Sequence, residues 1–523
     1  MIISLVPLPV LLPLLAAAVS LLFYRRPRLQ RLITLTVLSA VLVIGIVMLI
    51  VVNENGTLVM NVGGWAAPYG ISLVVDRLAA LMVSVSAAVL LAVLVFAVGQ
   101  GLADEGESND TPVSIYYPAY LVLGAGVFNA FIAGDLFNLY VGFEILLVAS
   151  YVLLTLGGTE ARIRAGITYI VVSLLSSLLF LAAIAMLYGA TGTVNIAQLS
   201  ERIAGLPAEL QTLLHVMLLV AFGIKAAVFP LSFWLPDSYP TAPAPVTAVF
   251  AGLLTKVGVY AIIRTETILF PSPELNNALM VVALLTMVIG ILGAIAQADI
   301  KRMLSFTLVS HIGYMVLGVA LGTAAGVAAA IFYTVHHIIV QTTLFLATGL
   351  IERKAGTTSI NHAAGLLKAS PLMGVLFFLP ALNLGGIPPF SGFLGKLGLL
   401  EAASEVGTPL AYTLIGAGVV VSLLTLYPLA RTWNLAFWRG RDEVKDYESF
   451  LTENLKDDPF AGERVQARPL PKLMVGATAA MVALGVGLTI FAGPLYDLAT
   501  RAGADLQGTE RYITSVLGEE AGR

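Results

Sequence analysis

Apolar residues in this chain come in long blocks rather than in the alternation of a strand or the narrow stripe of an amphipathic helix. Residues 1–24, 32–53, 78–103, 111–134, 275–298, 369–395, 406–430 and 473–496 contain no Asp, Glu, Lys or Arg. A helix rises about 1.5 Å per residue, so about 20 residues cross the roughly 30 Å of bilayer hydrocarbon, and each block is long enough. Two longer runs, 165–200 and 303–351, hold one span with a tail and two spans, with Gly322-Thr323-Ala324-Ala325-Gly326 as the turn in the second. Counting also the spans interrupted by a single ionisable residue, the pattern predicts an all-α, polytopic membrane protein of about 14 transmembrane helices. Their expected limits are 2–24, 32–53, 74–99, 113–134, 136–157, 163–189, 210–235, 243–270, 275–298, 301–322, 326–351, 371–402, 408–437 and 471–496.

Composition agrees. Hydrophobic residues make up 58% of the 523, charged residues 11%, and the mean hydropathy is +0.93. A soluble domain carries about a quarter charged residues. A net charge of −3 leaves no basic surplus for nucleic acid. Without cysteine, disulfides, thiolate metal sites, Fe–S clusters and Cys nucleophiles are excluded. The first apolar run lacks a positive region before it and is followed by Arg25, Arg26, Arg28 and Arg31, so it reads as a retained span rather than a signal peptide. Of 28 Lys and Arg, 18 fall in the loops of one side, six on the other and four within spans. That bias predicts both termini outside and the basic loops in the cytoplasm.

Four segments are expected: 1–110 (the first three spans), 111–270 (spans 4–8), 271–437 (spans 9–13) and 438–523. In the last, Val444, Tyr447, Phe450, Leu451 and Leu455 recur at helical spacing among charges, which suits either an amphipathic surface helix or a solvated loop. Two spans are interrupted. Pro230 removes a backbone donor and frees the carbonyl of Ala226, and Gly385-Gly386-Ile387-Pro388-Pro389 frees those of Leu384 and Gly385. Backbone breaks in lipid persist where other groups or water satisfy the carbonyls, so each break is expected to line a polar cavity. Each falls on the fourth helix of a five-helix unit, spans 4–8 and 9–13, which suggests two inverted repeats.

Four ionisable residues lie inside spans: Glu144, Lys225 before the first break, Lys256, and Lys396 after the second. A charge at mid-bilayer costs about 2.5–3.5 kcal/mol, so four cost roughly 10–14 kcal/mol unless they face one another, water or a cavity. A Glu144–Lys ion pair holding helices together would account for only two of them. Desolvated lysine exchanges its proton near neutral pH, and a carboxylate tunes that exchange. Two charges about 10 Å apart at an effective dielectric of about 20 interact by about 1.7 kcal/mol, enough to couple neighbouring sites. Ser173, Ser176 and Ser177 can support water near Glu144, and serine is also ordinary helix-packing material. His336 and His337 lie mid-span about 100° apart, unsuited to chelating one metal; His337 is the better candidate for the polar axis. His311 and His215 read as helix–helix hydrogen-bonding groups. Asp76 and Arg77 read as a local pair or interface anchor. Gly395-Lys396 lacks the flanking residues of a P-loop, and no HExxH, GxSxG or dinucleotide-binding fingerprint is present, so no enzyme, cofactor or metal is expected.

Residues 70–437 resemble the antiporter-like membrane subunits shared by respiratory complex I, membrane-bound hydrogenases and Mrp-type cation/proton antiporters. The resemblance rests on Gly142-Phe143-Glu144, Gly223-Ile224-Lys225, Phe229-Pro230-Leu231, Trp234-Leu235-Pro236-Asp237, Lys256, the 299–306 segment DIKRMLSF and Gly386-Ile387-Pro388-Pro389-Phe390-Ser391-Gly392-Phe393. Chain length, Thr241-Ala242-Pro243-Ala244-Pro245-Val246, and a Lys at 396 in place of Glu look most like the Mrp branch. The resemblance implies two half-channels at the broken helices and a hydrated axis through Glu144, Lys225, Lys256, His337 and Lys396. His336, Pro230, Pro388, Pro389, Ser173 and Ser177 would support it. It also implies several other membrane subunits as partners, with H⁺ and Na⁺ as the ions. No carboxylate cluster offers the roughly six oxygens of a hard-cation site, so Na⁺ is expected to move elsewhere in such a complex. The rival expectations are a proton-pumping component of a redox complex, a single-chain solute permease and a purely structural assembly component.

Overall fold

The computed structural model describes residues 2–101, 115–440, 443–444 and 469–518. The apolar periodicity at Tyr447, Phe450, Leu451 and Leu455 lies outside the described residues. Among the described residues, twelve helices are long and apolar enough to cross a bilayer, and the shorter apolar helices Tyr116–Ile132 and Pro371–Gly385 bring the crossings to 14. In chain order they are α1 (Leu8–Leu22), α2 (Pro27–Asn55), α3 (Arg77–Gln100), α4 (Tyr116–Ile132), α5 (Leu136–Thr155), α6 (Glu160–Thr191), α7 (Ala208–Ala226) and α8 (Ala244–Leu269). There follow α9 (Asn276–Ile295), α10 (Ile300–Ala320), α11 (Ala324–Ala355), α12 (Pro371–Gly385, resuming as Ser391–Val406), α13 (Pro409–Trp438) and α14 (Lys472–Ile490). Past the last crossing the chain forms two further helices, α15 (Ala492–Gln507) and α16 (Thr509–Leu517). One small departure from all-α stands between α2 and α3. There β1 (Leu58–Asn61) pairs antiparallel with β2 (Ser72–Val75), Leu58 opposite Val75, around glycines 63 and 64 with positive φ.

Helix α8 is buried along all of its most apolar window, α10 along 94% and α11 along 89%, whereas α2 and α13 are buried along only 28%. The three central helices are thus shielded from lipid by their neighbours. Polar side chains on them meet protein, not hydrocarbon, and these helices carry Lys256, His311, His336 and His337.

The two five-helix units superpose in their local chemistry with a constant offset of 164 residues. Asp135 caps α5 by accepting from the Asn138 N–H, and Asp299 caps α10 by accepting from the Arg302 N–H. Thr159 caps α6 and Thr323 caps α11 in the same way. Both long helices end on a left-handed glycine, Gly192 at φ 71° and Gly356 at φ 75°. An isolated bridge joins Asp135 to Asn195 in the first unit and Asp299 to Ser359 in the second. Five crossings per unit is an odd number, so the second unit traverses the membrane with the opposite polarity.

One hydrogen bond breaks the equivalence. The second carboxylate oxygen of Asp299 accepts from the Thr358 hydroxyl. That of Asp135, which is 4% exposed, has no partner among the described residues, because the position matching Thr358 is Val194. A buried acceptor left unpaired costs about 1–3 kcal/mol. Val194→Thr is therefore expected to raise the unfolding temperature of the purified protein in its complex. An unchanged or lowered temperature would show that Asp135 is already satisfied.

Candidate functional site

The first break arises where α7 ends. Ala227 takes a left-handed conformation at φ 59°, which an L-residue adopts at a cost, and the chain turns out of the helix three residues before Pro230. The carbonyl satisfied at this break is that of Ile224, which accepts from the Trp234 indole at 3.1 Å. The sequence points instead to Ala226, on the premise that the helix continues to the proline. Pro230 itself is exposed. In the last turn of α7, Lys225 Nζ donates to the Ser177 hydroxyl at 3.2 Å and to the Ser173 carbonyl at 3.3 Å. Ser177 in turn donates to Glu144 Oε1. Lys225, Ser177 and Glu144 thus form one line from α7 through α6 to α5, with a hydroxyl between the ammonium and the carboxylate. Phe143 packs its ring 5.6 Å from Lys225 Nζ, a cation–π contact. Ser176 takes no part: it donates to the Ala221 carbonyl and ties α6 to α7.

Lys256 lies on α8 immediately after a π-helical turn, Phe250–Leu254, and is fully buried. Its Nζ donates to the Ala251 carbonyl at 2.5 Å, within that turn. The wider turn changes the helical register just before the lysine, a distortion frequent at functional positions. Close approach of α8 to α7 depends on Gly258. A Cβ there would lie 2.6 Å from the Ala226 nitrogen, so the absence of a side chain lets the Lys225 and Lys256 segments touch backbone to backbone.

At the second break α12 stops on Gly386, in a left-handed conformation at φ 82°, and resumes at Ser391. Lys396 Nζ donates to the Leu384 carbonyl at 3.1 Å, the Gly385 carbonyl at 3.2 Å and the Ser422 hydroxyl at 3.0 Å. Both carbonyls expected to be freed are thus held by the lysine that follows them. Pro388 and Pro389 are exposed. The Tyr314 ring centroid lies 5.3 Å from the ammonium, and its hydroxyl donates to the Gly418 carbonyl.

Three histidines on α10 and α11, His311, His336 and His337, are fully buried. His311 meets Tyr333 OH at 2.8 Å through Nδ1 and Thr425 at 3.5 Å through Nε2, and its ring centroid is 5.2 Å from that of His337. His336 Nδ1 reaches Ser391 at 3.0 Å, the first residue after the break in α12. His336 Nε2 and both nitrogens of His337 have no partner among the described residues. Sequence alone makes His311 a packing residue; the structure joins it to His337. Its signal is nevertheless present along the chain, since a polar, ionisable ring halfway along a span calls for a partner.

Other pairings differ from expectation. Asp76 does not pair with Arg77 but with Arg264, in a bidentate contact of 2.5 and 2.7 Å, and Arg77 reaches Asp505. His215 on α7, by contrast, makes the helix–helix hydrogen bond expected of it, to Glu266 on α8 at 2.5 Å, and stacks on Phe270. These partners lie up to 428 residues apart, beyond what local spacing can indicate.

A 14-crossing bundle with two broken helices, each holding a lysine against hydroxyls or backbone carbonyls, is the architecture of an ion-translocating membrane protein. Residues 133–425 match the family described as NADH:quinone oxidoreductase/Mrp antiporter, transmembrane, and the chain belongs to that family. It is 38% identical, over 99% of its length and 100% of the relative's, to the D component of the Na⁺/H⁺ antiporter of Alkalihalophilus pseudofirmus. Among solved structures it resembles a chain of the Mrp complex from Dietzia sp., with 34% identity, a TM-score of 0.89, and coverage of 99% of this chain and 100% of that one. A chain of the membrane-bound sulfane sulfur reductase, an archaeal respiratory complex, matches at 26% identity and a TM-score of 0.83, over 98% of this chain and 99% of that one.

The contact at Gly258 yields a direct test. Gly258→Ala places a methyl group inside the α7–α8 contact and is expected to cost about 1–3 kcal/mol of stability and to separate Lys225 from Lys256. Thermal unfolding and transport of the assembled complex both report it. Wild-type values of both would show that the two helices do not need this approach.

Proposed function

We propose that this chain is the proton-translocating subunit of a multisubunit Na⁺/H⁺ antiporter in a bacterial plasma membrane, acting as a transporter component rather than an enzyme. The family and the antiporter relative support the class. The observation that carries the reading is the line Lys225–Ser177–Glu144 beside the first broken helix. A hydroxyl that accepts from an ammonium while donating to a carboxylate is wired as a proton relay. It exchanges its role when either neighbour changes charge.

The path then runs from Lys225 to Lys256 across the α7–α8 contact, through His337 and His311 to Lys396, with His336 and Ser391 beside the second break. Buried ring nitrogens without protein partners call for water, so this stretch functions hydrated. Glu144, partly exposed on α5, passes the charge state of Lys225 to a neighbouring subunit. The lysine and arginine bias puts the basic loops in the cytoplasm and both termini outside. Na⁺ crosses elsewhere in the complex.

A second reading, a proton pump powered by electron transfer in a redox complex, draws support from the likeness to the archaeal respiratory complex. Co-purification with flavin- or Fe–S-bearing proteins would favour it.

The test uses inverted vesicles from a host without its own antiporters, carrying this chain with its partner subunits. Na⁺ added to energised vesicles is expected to collapse the pH gradient with wild-type protein, and Lys225→Ala or Glu144→Ala to abolish the response with the complex still assembled. Ser177→Ala, which removes only the bridging hydroxyl, is expected to slow exchange about 10²–10⁴-fold, the usual worth of a positioned proton-transfer group. Full exchange in an assembled Lys225→Ala complex would overturn the proposal.

A further inference from the structure

A buried charged network stands at the end of α8 opposite the breaks, and the pathway above does not use it. Lys256, Tyr260 and Arg264 are spaced four residues apart and so share one face of α8, each step about 6 Å along the axis. The remaining positions of this stretch are Val257, Gly258, Val259, Ala261, Ile262 and Ile263, so the three make a single polar strip leading from mid-membrane to the surface. Tyr260 OH accepts from Arg264 Nε at 3.0 Å and donates to the Phe131 carbonyl at 2.6 Å. Arg264 holds Asp76, and both are about 5% exposed. Burial opposes the charge on Asp76, but the charge and hydrogen bonds of Arg264 outweigh it and hold the carboxyl below its usual range.

Asp76 also forms part of the wall of an open cavity of about 650 Å³, together with Arg77, Asp505, Glu510, Arg511 and Tyr512. Tyr512, on α16, lies over Arg264 at 5.7 Å and is itself buried. Burial chiefly raises its phenol, Arg264 opposes the rise, and Asp76, Tyr260 and Asp135 add to it, so the hydroxyl keeps its proton.

A buried ion pair is commonly replaceable by apolar residues without loss, so a pair set between a transport lysine and an open cavity points to passage. We propose that the cavity is the outer vestibule through which the first repeat exchanges protons with the aqueous phase. Tyr260 is the stepping group above Lys256, the Asp76–Arg264 pair is the gate, and Tyr512 on α16 is the cap. This rests on the proton-translocating reading and adds an opening that the two breaks do not supply. In the conformation described here the column is closed, with Tyr260 committed to Phe131 and Tyr512 over the guanidinium.

The absence of cysteine in the chain makes the test clean. Ser515 lines the cavity and is exposed, so Ser515→Cys in the full complex can be modified with a bulky, membrane-impermeant thiol reagent. Ser272→Cys, on the exposed α8–α9 turn away from the cavity lining, is the control. Labelling Ser515→Cys is expected to slow exchange at least tenfold, and labelling Ser272→Cys to leave it unchanged. Tyr260→Phe, which keeps the ring, is expected to slow exchange several-fold. Wild-type rates in a fully labelled Ser515→Cys complex overturn the vestibule. Failure of the underlying reading shows separately, as exchange that survives Lys225→Ala in unlabelled protein.

Discussion

An ionised side chain cannot rest in hydrocarbon, and the architecture of this protein follows from how it meets that constraint. The lysines stand where backbone has been opened or where neighbouring helices exclude lipid. Lys396 takes the two carbonyls released by the break in α12. Lys256 takes a carbonyl of a π-turn on the helix that is buried along its whole apolar window. Lys225 takes a serine hydroxyl and a carbonyl of α6. Each ammonium is thus solvated by protein dipoles rather than by a direct carboxylate partner. That leaves its charge adjustable, whereas a tight ion pair would fix it.

The inverted repeat supplies this solution twice and then differentiates it. Equivalent caps, glycines and bridges at a constant offset give both units the same frame. Within it, the first unit links its lysine through a hydroxyl to a half-buried glutamate on an outer helix. The second cages its lysine among carbonyls next to a histidine and tyrosine cluster. The first lysine is thus partly exposed, while the second is buried. The same frame leaves the second carboxylate oxygen of Asp135 without a partner among the described residues, where that of Asp299 accepts from Thr358, because Val194 stands where the second unit has that threonine.

Much of this was legible along the chain. Block lengths determined the number of crossings and most of their limits to within a few residues, the seventh ending early at its break, because the thickness of hydrocarbon admits little variation. The cost of buried charge singled out Glu144, Lys225, Lys256 and Lys396, and the chemistry of proline located both breaks. Even the repeat is written in the sequence, in Asp135 and Asp299, Thr159 and Thr323, Gly192 and Gly356. Overall similarity between the halves is too faint to reveal it, since capping residues are few and apolar positions interchange freely.

By itself, then, the sequence determined an all-α membrane bundle, its span count and the set of charges needing shelter, because each follows from local hydropathy and from groups one turn apart. The tertiary structure decided which groups meet. Ser177 stands between Lys225 and Glu144, His311 packs against His337, and Arg264 chooses Asp76 over nearer charges. Those choices depend on how helices distant in the chain rotate and approach, at contacts such as Gly258 against Ala226. Such rotations are set by packing among all the helices at once, and the pattern along any one of them does not contain it.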